Sequence, residues 1–302
     1  MAKAPLFRTT SGLNNVLEPH RLQYGEDGGC PLAQAVNVIV DDGGGVRVRY
    51  GLSSKVSGPC HSLWSWGPYC FFVSEGALYR YTTSGTAVLV HASCGDFPMY
   101  FEEFGGKIYC SNGVFRAILY DEMIESWNAS VPTQFASDTR TLGLPTSFTK
   151  ICRHAGRMYL VDGSYLWETE PSNPGCVDLG AGYMTVGEGI TDIISVRGGI
   201  YLSTATRTYF LSGSSKADFL PLDAHPSPIV PGTCTKITAD QVGDGGMVQG
   251  VAAIWTSREG VCVGSEDGKV TNVTSRRIVF NKAVSGSATV LPGQYLFSLE
   301  VE

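Results

Sequence analysis

The feature that most constrains this chain is one strand-turn-strand module that recurs five times. Its first copy runs Trp66-Gly67-Pro68-Tyr69-Cys70-Phe71-Phe72-Val73, turns at Ser74-Glu75-Gly76 and returns as Ala77-Leu78-Tyr79-Arg80-Tyr81. The later copies open at Gly105-Gly106, Gly156, Gly198-Gly199 and Gly260, followed by Ile108-Tyr109-Cys110, Met158-Tyr159-Leu160-Val161, Ile200-Tyr201-Leu202 and Val261-Cys262-Val263. Tips such as Asn112-Gly113, Asp162-Gly163 and Asp267-Gly268 supply the positive φ angles of tight turns, and aromatic or β-branched residues fill the flanks. Each copy therefore reads as a β-hairpin. An apolar segment precedes each one, for example Met99-Tyr100-Phe101 and Ile193-Ile194-Ser195-Val196. Four short strands per unit, at a spacing of roughly 40–60 residues, is the signature of propeller blades.

The expectation is an all-β chain forming a β-propeller of about six blades: five clear repeats plus one blade composed of both termini. Strands at 36–50 and near 277–299 would share that last blade, because an unpaired sheet edge is a liability. Tandem β-sandwiches are the alternative fold. The composition agrees with many short strands joined by turns, with 37 glycines in 302 residues and 17% charged residues. Residues 1–35 carry Pro5, Pro19 and Pro31 without the module, and read as an extended N-terminal arm. Residues 36–302 read as a single propeller domain. Within it, residues 212–246 hold Pro221, Pro226, Pro228 and Pro231, and read as a Pro-rich loop insertion; residues 121–144 are a smaller candidate of the same kind.

The search for chemistry gives no catalytic, cofactor-binding or metal-binding residue, and the chain reads as a non-enzyme without cofactor. His20, His61, His91, His154 and His225 fall in no metal-ligand spacing, and there is no nucleophile elbow or P-loop. The acidic clusters Glu102-Glu103, Asp121-Glu122, Glu168 with Glu170, and Glu266-Asp267 lie beside turns, where a solvated carboxylate is the ordinary state. Nine cysteines, with no C-x-x-C pair, signal neither a zinc site nor a complete disulfide set. Cys70 and Cys110 fit small core-facing positions, and disulfides formed later in an extracellular particle stay open as an alternative. The net charge of −6 and the absence of a basic stripe argue against sequence-specific nucleic-acid binding. No apolar run suits a signal peptide or a bilayer span, so membrane insertion is not expected.

The N-terminal segment Ser11-Gly12-Leu13-Asn14-Asn15-Val16, then Arg21-Leu22, leads to Ala35-Val36-Asn37-Val38-Ile39-Val40-Asp41-Asp42-Gly43-Gly44-Gly45-Val46-Arg47-Val48-Arg49-Tyr50-Gly51. His61-Ser62-Leu63-Trp64 then opens the first blade. This order of polar arm, Asn-Val strand, acidic-Gly turn and Arg-bearing strand resembles virion proteins of tailed bacteriophages. It is similar to the propeller-bearing hub, nozzle and tail-tip components, best over the first 115 residues. The resemblance implies a structural subunit of the tail or tail tip, made in the host cytoplasm and located in the virion. It implies partners among other virion proteins and a symmetric homo-oligomer. Phe7, Leu13, Val16 and Leu17 are the expected partner contacts, anchoring the arm in an apolar groove of another subunit. A receptor- or glycan-binding propeller is the alternative function, which exposed aromatics from Tyr100, Trp127, Tyr165 or Trp167 on one face would favour. A glycan hydrolase is a third.

Overall fold

A computed structural model of the chain describes residues 10–22, 29–36, 38–40, 45–48, 55–82, 84–120, 123–135, 138–238, 241, 250–275, 277–291 and 293–302. Near the N-terminus, β1 (Val38–Val40) and β2 (Val46–Val48) pair as a hairpin. Blade 1 follows with β3 (His61–Trp66), β4 (Tyr69–Ser74), β5 (Ala77–Thr82) and β6 (Ala87–His91). Blade 2 is built of β7 (Tyr100–Phe104), β8 (Lys107–Ser111), β9 (Arg116–Tyr120) and β10 (Met123–Ser126). Blade 3 is larger. A short β11 (Leu142–Gly143) precedes β12 (Lys150–His154), β13 (Arg157–Asp162), β14 (Tyr165–Glu170) and β15 (Asn173–Asp178), and β16 (Tyr183–Thr185) follows. Blade 4 holds β17 (Ile190–Val196), β18 (Gly199–Thr204), β19 (Thr208–Ser212) and β20 (Leu220–His225). Blade 5 holds β21 (Thr235–Thr238), β22 (Val251–Ser257), β23 (Gly260–Gly264) and β24 (Val270–Asn272), and the chain ends in a ribbon of β25 (Ala283–Leu291) and β26 (Gln294–Val301).

Turn chemistry explains why these segments pair with their neighbours. The β7–β8 turn places Gly105 at φ 61° and Gly106 at φ 79°, the doubly positive geometry whose twist matches the flanking strands. The β12–β13 turn repeats it with Ala155 at φ 45° and Gly156 at φ 76°, so here an L-residue bears the strain.

Blades are held together face to face. Phe71, Val73 and Leu78 of blade 1 pack on Phe101, Ile108 and Cys110 of blade 2. Tyr109 and Trp127 meet Ile151, Met158 and Leu160 of blade 3. Val161 and Leu166 then meet Ile200, Leu202 and Leu211 of blade 4. Val196, Tyr201 and Phe210 meet Trp255 and Cys262 of blade 5. The outer side of blade 5, through Ile237, Ile254 and Val263, packs on Phe280, Tyr295 and Phe297 beside and within the terminal ribbon. A middle strand must thus be apolar on both faces, and β18 is buried at every position. This is a β-propeller of five full blades, with the terminal ribbon at the sixth position.

Three expectations need correction. Among the described residues of 212–246, which run to 238 and include 241, the chain is not one uninterrupted loop. Those residues carry β20 and β21, the last strand of blade 4 and the first of blade 5. Pro221 is tolerated opposite Leu211 because β20 is an outer edge strand, where a missing N–H breaks no further ladder. Residues 121–144 likewise contain β10 and β11. The termini also do not merge into one hydrogen-bonded blade: among the described residues β1–β2 and β25–β26 are separate two-stranded sheets. The two ends meet through a clasp instead. Asn15 N donates to Arg277 O at 2.8 Å, the Asn15 side chain brackets the main chain of Val279, and Arg277 Nη1 donates to Ser11 O.

Candidate functional site

Two places in this frame have the makings of a site. The first is the axis. Strands β7, β12, β17 and β21 are the innermost of their blades and neighbour one another in that order. Near one end of the axis they surround a cavity of about 830 Å³ lined by Glu102, Phe104, Arg153, Arg197, Lys236 and Glu266, among others. Lys236 Nζ of blade 5 reaches Glu102 Oε2 of blade 2 at 3.5 Å, and Arg153 Nη1 pairs with Glu103 Oε2 at 2.9 Å. Glu266 Oε1 accepts the Val251 N–H at 3.1 Å. Arg197 is exposed and makes no ion pair among the described residues.

Further along the inner strands lies a buried polar group. Asp192 Oδ1 accepts from Ile193 N at 2.9 Å and Oδ2 from Gly232 N at 3.2 Å. Burial pushes its carboxyl from 3.8 up to about 6, with the Lys150 ammonium and both N–H donors opposing. Burial also lowers Lys150, whose Nζ sits 5.1 Å from the centre of the Tyr100 ring.

The second place is the outer part of blade 3, where the repeat is broken. The second half of β14 pairs with β15, with a register shift between Thr169 and Glu170, while its first half pairs with β16. Strand alternation puts Tyr165 and Trp167 on one face, and the register sets Tyr183 directly opposite Trp167. The Tyr165–Tyr183 ring centroids are 5.2 Å apart, Trp167–Tyr183 4.9 Å and Tyr165–Trp167 6.0 Å. Tyr165 and Tyr183 remain 41% and 36% exposed. Asp162 and Thr185 flank Tyr165 on its two sides in the ladder, and Ser147 Oγ lies 3.4 Å from Asp162 Oδ1. The result is an aromatic platform with a carboxylate and hydroxyls at its border.

Of the expected arm contacts, Phe7 lies outside the described residues. Leu13 bridges Leu32 of its own chain and is half-buried. Val16 and Leu17 are exposed, in a turn where Asn14 Oδ1 accepts both of their N–H groups. Of the aromatics singled out in the sequence, Tyr165 and Trp167 come together. Trp127 instead is buried, donating Nε1–H to Pro174 O at 3.1 Å, and Tyr100 packs in the core between blades 2 and 3. Tyr183 was missed, since a three-residue strand after Gly180-Ala181-Gly182 leaves little periodicity to read.

The acidic clusters are tied into the frame. Glu168 accepts from Tyr159 Oη at 2.8 Å and pairs with Arg157, while Glu170 pairs with Arg140. Asp121 and Glu122 lie outside the described residues. His154 spans two carbonyls, Val196 O at 3.1 Å and Gly213 O at 2.7 Å, as a buried brace. His225 Nε2 stands 3.7 Å from Cys262 Sγ, but burial pushes that thiol up to about 11, which keeps it protonated and unreactive. The nine cysteines are free thiols, Cys110 fully buried and Cys70 half-buried. Among the described residues no three His, Cys, Asp or Glu side chains are placed to hold a metal ion.

No protein-family sequence model matches this chain, and neither does any curated protein. Solved structures do resemble it. The BBS1N structure in complex with ARL6DN aligns at a TM-score of 0.51 and 11% identity, covering 87% of this chain and 83% of that one. The Pan2 WD40 domain of Neurospora crassa aligns at 0.45 and 10%, covering 79% and 74%. A gluconolactonase of Xanthomonas campestris aligns at 0.46 and 12%, covering 80% and 87%. The likeness is one of fold alone.

Proposed function

We propose that this chain is a recognition propeller that binds a surface glycan or receptor without turning it over, using the platform of Tyr165, Trp167 and Tyr183. The observation that supports this reading is an aromatic cluster left half-exposed at the place where blade 3 departs from its siblings. An apolar core strand would hide such rings. Here Tyr165 and Tyr183 stay exposed with Asp162 and Thr185 beside them, while Trp167 forms the floor, packed partly on the core between blades 2 and 3. A pyranose ring presents an apolar C–H face rimmed by hydroxyls, and such a surface offers rings for the face and polar groups for the rim. Absence of turnover is part of the proposal, supported by the ion pairs and hydrogen bonds that occupy the described carboxylates nearby.

The test is affinity electrophoresis and tryptophan fluorescence titration against a panel of bacterial surface polysaccharides. Tyr165→Ala and Tyr183→Ala should each weaken binding about fivefold to thirtyfold, the equivalent of about 1–2 kcal/mol. Reducing ends should not accumulate on prolonged incubation. Unchanged binding by the double variant, or steady release of reducing ends, would refute the reading.

A second reading places the same propeller as a structural subunit in a tailed-phage tail or tail tip, contacting other virion proteins. It is favoured by the resemblance of the first 115 residues, and it is compatible with the first. Immunogold labelling of purified particles tests it, and particles that never carry the chain would refute it.

A further inference from the structure

The sixth position of the propeller is half built. Blades 1 to 5 have at least four strands each, and their second strands β4, β8, β13, β18 and β22 are largely buried. At the sixth position stand β25 and β26 alone, and among the described residues β26 is hydrogen-bonded to no strand but β25. Its side chains alternate accordingly. Tyr295, Phe297 and Leu299 are half-buried, whereas Leu296, Ser298 and Glu300 are exposed. A long open edge of this kind is a template for another strand.

At the other end of the chain is a hairpin in search of a sheet. β1 and β2 pair Val38 with Val48, Ile39 with Arg47 and Val40 with Val46. These are strong strand formers, yet β2 is exposed at every position, with Val48 at 79%. A two-stranded hairpin on its own is marginal. The charges match as well: exposed Arg47 marks β2, and β26 runs out through Glu300-Val301-Glu302. In the single chain the two sheets stay separate, although the Asn15 clasp ties the ends together.

We propose that the β1–β2 hairpin of a second copy of this chain adds to the β26 edge and completes a four-stranded sixth blade. The docking is β-augmentation, in which main-chain bonds give affinity and the Arg47–Glu300 charges help set orientation. It goes beyond glycan recognition, and polysaccharide binding and self-association are measured separately, so either can fail alone.

The experiment is sedimentation velocity on the full chain over a concentration series, with circular dichroism to verify folding. The wild type should associate reversibly. Arg47→Glu and Glu300→Arg should each weaken association on the order of tenfold or more, through like-charge juxtaposition. Mixing the two single variants should restore it, since each then finds an opposite charge on the other copy. A wild type that stays monomeric at about 100 μM, two orders of magnitude above a micromolar Kd, would overturn the proposal. So would association indifferent to both substitutions. Rescue in the double variant without rescue on mixing would also overturn it, by showing that the hairpin completes its own chain's blade.

Discussion

Replacing Asn15 by Ala removes both side-chain bonds of the clasp, Nδ2–H to Val279 O at 3.0 Å and Val279 N–H to Oδ1 at 2.9 Å. A net intramolecular hydrogen bond is worth about 0.5–1.5 kcal/mol. Both bonds are exposed, so water replaces them, and the sum falls near the lower end, about 1–2 kcal/mol. The main-chain bond from Asn15 N to Arg277 O and the Arg277–Ser11 contact survive the substitution. For a chain of this length that loss lowers the melting temperature by about 2–6 °C. Asn15→Asp keeps the acceptor and loses the donor, so it should cost roughly half as much. The partners are 264 residues apart, and contacts of such separation tend to form late, so the cost should appear mainly as faster unfolding. Calorimetry, urea unfolding kinetics and amide exchange across residues 277–282 read these effects. Asn15→Ala with wild-type stability and unchanged exchange at Val279 would refute the clasp and free the arm to seek another subunit.

Asp192 should make stability fall as pH rises. A carboxyl whose folded value is about 6 favours its neutral form in the native state, so its contribution is complete below 3.8 and lost as pH climbs through 6. Across that window the loss approaches about 3 kcal/mol, at 1.36 kcal/mol per unit. Asn cannot satisfy both N–H donors, so Asp192→Asn costs stability at pH 4, and the penalty relative to wild type should shrink by pH 8. Urea midpoints that differ by the same amount at both pH values would refute this. Ala155→Gly should stabilise by about 0.5–1 kcal/mol, because it relieves a left-handed L-residue at an exposed turn with some loss to chain entropy. A thermal melt showing no gain would contradict it.

The blades were legible because turn chemistry is local. Gly105-Gly106 and Asp162-Gly163 announce their turns whatever surrounds them. The first strand of blade 5 was not legible. Thr235–Thr238 is four residues long, follows three prolines and faces the axis with Lys236, so neither length nor alternation marks it. The prolines misled for a related reason: a ladder forbids proline in its middle, but sequence does not say which strand is last. The arm misled differently. Residues 1–35 read as an extended arm, whereas within them the Asn14 side chain caps a local turn and that of Asn15 grips a segment at the far end of the chain. Tyr165 and Trp167 were visible as aromatics two apart on a strand, but their exposure depends on β16, whose pairing only the folded sheet reveals.

The inter-blade cores explain where variation can accumulate. A middle strand is packed on two neighbours at once: Leu202 lies in the cluster shared with blade 3, and the adjacent Tyr201 in the cluster shared with blade 5, on the opposite face of the same sheet. Outer strands carry no such double obligation: β6 and β20 are exposed over much of their length. New pairing partners can therefore be added at a blade's rim without disturbing the packing around the axis. Blade 3 does this with β11 and β16, and the second of these brings Tyr183 against Trp167. The same reasoning applies at the sixth position, where one face of the ribbon packs on blade 5 and the other leaves Leu296 exposed, as is Val301 near its end. The recognition proposed at the rim of blade 3 and the assembly proposed at the edge of β26 thus draw on one property of the fold: its interior is fixed by repetition, and its perimeter can take additional strands.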